Sequence, residues 1–89
     1  MTVVEQTDGL FVVTIVDAGT TTSHTVGVPT GFPESLGCAH VPVTDLVASS
    51  FAFLLDREPA GSILRRFSLE QITDYFPDYP ATIRAALAG

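Results

Sequence analysis

Lysine and tryptophan are missing from this 89-residue chain, and cysteine occurs once. A lone Cys38 cannot make an internal disulfide, so nothing in the chain depends on an oxidising compartment. The longest apolar run, Phe51–Leu55, is far short of the roughly 20 residues a membrane span needs. The N-terminus has neither the basic start nor the apolar core of a secretory signal. A cytoplasmic setting and no membrane partner are the expectations. Positive charge is scarce as well, and its distribution is lopsided. Residues 1–56 carry Glu5, Asp8, Asp17, Glu34, Asp45 and Asp56 with no Lys or Arg, and residues 57–89 balance four arginines against four carboxylates, for a net charge of −6. Nucleic-acid affinity is drawn from phosphate neutralisation through many cations, so this balance argues against a nucleic-acid partner.

What is present is enough for one small domain. The 46% apolar content is that of a globular chain rather than a disordered one. So short a chain buries only about 60–65% of its unfolded surface, which makes shared apolar surface in a homodimer a reasonable expectation. The domain divides into a β-meander over 1–29, a connector over 30–43 and a helical part over 44–89.

In the meander, "TVVEQT" and "LFVVTIVD" flank Asp8-Gly9, a pair suited to a type I′ turn. Ala18-Gly19 leads to "SHTVGVP". Two-residue loops at both places put Phe11, Val13 and Ile15 on one face. Val4 then lies opposite Val13, and His24 and Val26 lie opposite Val13 and Phe11. Val3, Glu5, Val12, Thr14, Ser23 and Thr25 fall on the other, more polar face, and His24 sits at an edge. The Pro- and Gly-rich connector holds at most one short turn, near Glu34–Leu36.

A helix is predicted over about 45–57, with Thr44 as N-cap and Asp45 in the first turn. Val47, Phe51, Leu54 and Leu55, with Ala48 and Ala52, form one apolar arc. Leu46 and Phe53 fall outside it, beyond Ser50, and require a second cover. Pro59 ends this helix, and "AGSILRR" reads as a short helical turn. Ser68 and Gln71 hold capping-box positions. Leu69, Ile72, Tyr75 and Phe76 form an apolar face, Pro77 stops that helix, and Pro80 opens a last one. The fold class is therefore α+β: an antiparallel three-stranded meander packed on a helix, completed by short C-terminal helices.

Chemistry-bearing residues are few. Cys38 and His40, with His24 as a third, are the candidates for a metal or small-ligand site, but the recognised Cys/His spacings are absent. A Cys38–His40 nucleophile lacks an orienting group. Asp74 and Asp78 are separated by Pro77, and no phosphate-binding glycine motif occurs. "GTTTS" lies in a hairpin rather than before a helix, so it offers no helix-terminus anion site. No cofactor and no catalytic residue are expected.

The stretch from Ser50 to Phe67, "SFAFLLDREPAGSILRRF", resembles a family of small bacterial and archaeal proteins that share S-F-x-F-L-L-x-R-E-P-x-x-S-I-L-R-x-F after a strand-rich start. The resemblance covers about the last half of the chain and implies a sheet-then-helix arrangement, with no activity attached. The order of elements is also similar to that of small antitoxins of the HicB type, without their Gly- and His-containing signature. Apart from these resemblances, a small acidic domain with no catalytic constellation, a two-sided apolar helix and an arginine-aromatic segment beside it reads as a non-catalytic protein-interaction or regulatory module that self-associates. Leu46, Phe53, Arg65, Arg66, Tyr75 and Tyr79 are its candidate partner-binding residues, because aromatics and arginine are what interface centres use. The blander reading makes Ile63–Pro80 the cover for Leu46 and Phe53.

Overall fold

The computed structural model describes residues 1–88. The strands are β1 (Thr2–Thr7), β2 (Leu10–Asp17), β3 (Thr20–Gly27) and β4 (Arg66–Ser68). The helices are α1 (Phe32–Ser35), α2 (Val43–Leu55), α3 (Ile72–Tyr75) and α4 (Tyr79–Leu87), with 3-10 turns at Ala60–Ser62 and Leu69–Gln71. The strands form one mixed sheet in the order β1-β2-β3-β4, so the fold is α+β.

The β2–β3 pairing is the one read from the sequence: Val13 faces His24 and Phe11 faces Val26. Its turn has positive φ at both central residues, Ala18 (51°) and Gly19 (82°), as a type I′ turn demands. The first hairpin departs from expectation. Only Gly9 (79°) has positive φ there, so Asp8-Gly9 is not a type I′ turn. The register then shifts between Glu5 and Thr7, and Val3 rather than Val4 lies opposite Val13. A bulge inserts one unpaired residue, and with a side-chain period of two a one-residue slip exchanges the faces of the whole strand. Val3 therefore packs against the core, while Val4 points outward.

The connector contains α1, which ends in a Schellman motif. Gly37 N–H donates to Glu34 O (3.0 Å), Cys38 N–H donates to Pro33 O (2.8 Å), and Gly37 takes φ +73°. Those two bonds satisfy carbonyls that a helix end leaves orphaned.

Thr44 is not the cap of α2. The helix begins at Val43 with Pro42 in the cap position, because the Pro42 carbonyl already accepts from Asp45 and Leu46 N–H. It ends at Leu55 rather than Arg57, where the last turn tightens and Arg57 N–H bonds to Leu54 O at 3.0 Å. Leu46, Val47, Ser50, Phe51, Phe53 and Leu54 are buried and make one wide face, with Ala48 and Leu55 half-buried and Ala52 exposed. Ser50, which divides two apolar stripes in the sequence, is inside. Its hydroxyl donates to Leu46 O at 2.7 Å, which removes the cost of burying it. One flank of this face meets the sheet, with Phe51 5.5 Å from His24 and 5.8 Å from Phe67 between ring centroids. The other meets the C-terminal helices, with Phe53 against Phe76 and Tyr79 in edge-on contact at 5.8 and 5.2 Å.

The helical turn that the sequence suggests after Pro59 is confined to the 3-10 turn at Ala60–Ser62. Beyond the 3-10 turn the chain extends, Thr25 N–H donates to Arg65 O at 2.7 Å, and β4 pairs in parallel with β3. Parallel neighbours need a crossover of a dozen or more residues, and the α2 excursion supplies it. The sheet thus has four strands instead of three, and β3 is interior, so His24 is not at an edge. Ser68 and Gln71 then hold the capping-box positions. The bond with hydrogen-bond geometry runs from Ser68 N–H to Gln71 Oε1 (2.8 Å), while Ser68 Oγ is buried with no partner among the described residues. Pro80 stands in the first turn of α4, as expected.

Candidate functional site

Three of the six candidate partner-binding residues are interior. Leu46, Phe53 and Tyr79 are buried beneath the α3–α4 corner, so none of them has surface to offer a partner. Phe53 and Tyr79 serve instead as one aromatic cluster. The reason is the wide α2 face: a stripe that the sheet cannot reach is closed by the chain's own end.

Tyr79 completes a relay in that cluster. Its hydroxyl is 2.7 Å from Ser50 Oγ. Ser50 has one proton and gives it to the Leu46 carbonyl, which can only accept, so the Tyr79 hydroxyl is the donor to Ser50. Burial pushes the Tyr79 phenol up to about 12, with the nearby Cys38 adding to the rise and the Ser50 bond opposing it. A phenol held neutral this firmly is a structural donor.

The metal or ligand reading of His24, Cys38 and His40 fails on placement. His24 is buried on β3, with Nδ1 2.8 Å from Leu64 O and Nε2 3.0 Å from Thr22 Oγ1. The carbonyl can only accept, so Nδ1 carries a proton and ties β3 to the strand that enters β4. Cys38 is buried under α1 with its thiol turned to Leu36 O (3.6 Å), and exposed His40 reaches Leu87 O (3.2 Å). Among the described residues, no three His, Cys, Asp or Glu side chains gather in a way that could hold a metal ion.

Arg65, Arg66 and Tyr75 are exposed, and Tyr75 stands on the rim of a groove of about 330 Å³. Leu54, Ile63, Phe67, Ile72 and Phe76 make its apolar floor and walls, Leu64 shares the rim, and Glu58, Ser62 and Gln71 supply polar groups. Tyr75 is 66% exposed and Leu64 50% exposed. Leu64 was not a candidate from sequence. No periodicity marks it: the strand is only Arg66–Ser68, and Leu64 and Arg65 stand exposed in succession before it.

Arg57 holds the adjoining corner. Its guanidinium carbon lies 3.7 Å from the Phe53 ring centroid, Nη2 meets Asp78 Oδ2 at 2.8 Å and Nη1 donates to Phe53 O at 3.3 Å. Asp78 is its partner. Arg84 ties α4 to α1 in the same manner, Nε donating to Leu36 O at 2.9 Å.

A second, more open groove of about 520 Å³ runs beside the first hairpin, with Glu5, Asp8, Glu34 and Ser68 among its lining residues. Its carboxylates are spread rather than gathered. Compared with known proteins, the chain matches no family model, no curated protein and no solved structure. Among the described residues no helix is long and apolar enough to cross a membrane.

Proposed function

We propose that this chain is a non-catalytic protein-interaction or regulatory module that works in the cytoplasm. The observation that carries the reading is the groove between α2, β4 and α3. Single exposed apolar side chains are ordinary on a protein surface. Here two large ones, Leu64 and Tyr75, share the rim of one apolar groove. Arg65 follows Leu64 directly and is exposed, whereas Arg66 belongs to the other face of the sheet, beside Thr25 and Val12. Interface centres combine these elements: apolar anchors, an aromatic and arginine. A free, buried Cys38 suits a reducing compartment.

The test is capture of a stoichiometric protein partner from source lysate at moderate salt. Leu64→Glu with Tyr75→Glu should abolish capture while circular dichroism stays unchanged, and Arg65→Glu should weaken it. Capture that survives both changes sinks the groove as the docking site.

A further inference from the structure

The helices pack on the sheet face that carries Phe11, Val13, Ile15, His24 and Val26. The strand registers assign the opposite face to Thr2 and Val4 of β1, then Leu10, Val12, Thr14 and Val16 of β2. Thr21, Ser23, Thr25 and Gly27 follow from β3, and Arg66 from β4. None of these is a carboxylate, and Arg66 is the one charge. The solvated face of a sheet is polar, whereas this one interleaves its threonines and serine with Leu10 and three valines, Val16 68% and Val4 55% exposed.

The ten carboxylates of the chain therefore lie off this face. Asp8 and Asp17 sit at hairpin ends, and the bulge turns Glu5 to the packed side opposite Phe11. For a chain of net charge −6, this is the surface on which a second copy brings no acidic groups together. We propose that two copies of this chain associate through this open face, sheet on sheet. The inference rests on the interaction-module reading and names the chain itself as a partner.

Size sets the strength. Strands of six, eight, eight and three residues, at about 3.4 Å per residue and about 4.8 Å apart, give a footprint of roughly 400 Å² per copy. The pair then buries on the order of 800 Å², below the low end for specific interfaces. The dimer is weak, with dissociation in the micromolar to millimolar range. Because both copies are anionic, added salt tightens it by screening their repulsion.

Sedimentation equilibrium of the full chain, from about 10 μM to 1 mM at low and high salt, tests this. The mass should rise from monomer to dimer with concentration, at lower concentration in high salt. Val16→Glu with Ser23→Glu should stay monomeric throughout with an unchanged circular dichroism spectrum. Val16→Lys with Ser23→Lys should do the same, and serves if the first pair misfolds. Leu64→Glu with Tyr75→Glu should dimerise like the parent. A wild-type monomer at 1 mM overturns the proposal and leaves partner capture through the groove as the separate test of the module reading. A dimer that survives the face changes also overturns it, and points to the groove if the Leu64/Tyr75 pair abolishes that dimer or to the β1 edge if it does not.

Discussion

Tyr79 on α4 donates its hydroxyl to Ser50 on α2 across 2.7 Å, and Ser50 passes its own proton to Leu46 O at 2.7 Å. This relay is a polar seam between the two largest helices, with Phe53 packed edge-on against Tyr79. It fixes how the C-terminal helix lies on α2, and it makes one residue responsible for an alkaline limit on stability.

In the folded chain the Tyr79 phenol is pushed up to about 12 from 10.0, chiefly by burial. The folded state keeps a proton that the unfolded chain releases above pH 10. The stability this provides is intact below pH 10 and is lost as pH rises from 10 to 12. Two pH units correspond to at most about 2–3 kcal/mol. In a Tyr75→Phe background the remaining phenol absorbance should titrate near pH 12, together with unfolding. Tyr79→Phe should cost about 1 kcal/mol at neutral pH for the lost hydrogen bond and flatten the alkaline decline. A phenol that titrates near 10 without unfolding contradicts the buried relay.

The Arg57 corner separates stacking from ion pairing. Asp78 is more than half exposed, so its ion pair contributes little: Asp78→Asn should cost under about 1 kcal/mol. Arg57→Ala also removes the guanidinium from the Phe53 ring and from Phe53 O, and should cost about 1–2 kcal/mol more. Urea midpoints of the two variants decide it, and equal losses would return the whole effect to the ion pair.

Ala18 has φ 51° in the second hairpin, a conformation that disfavours a Cβ by about 1–2 kcal/mol. Ala18→Asn creates the Asn-Gly pair that such turns prefer and should raise stability by about 0.5–1 kcal/mol. Ala18→Val should lower it by more than that. Thermal melts read both, and an unchanged melting temperature for the asparagine variant would mean the turn relaxes without strain.

The sequence by itself determined what adjacent residues decide together. Alternation and Ala18-Gly19 set the β2–β3 register. Pro59, Pro77 and Pro80 divide the helices, and the Ser68/Gln71 positions mark the entry to α3. Even the need for a second cover over Leu46 and Phe53 was legible, from where they stand on the helical wheel. The tertiary structure decided what distant partners decide. Asp8 keeps negative φ and the bulge between Glu5 and Thr7 exchanges the faces of β1, which no count of loop residues reveals. Arg66–Ser68 become a strand because β3 offers an open edge some 40 residues earlier, and that pairing buries His24 and leaves Leu64 on a rim. Ser50 reads as a polar boundary on the wheel, yet the Leu46 carbonyl and the Tyr79 hydroxyl make its burial affordable. Local conformational preference acts over a few residues, whereas burial and strand pairing are settled only when both partners are in place.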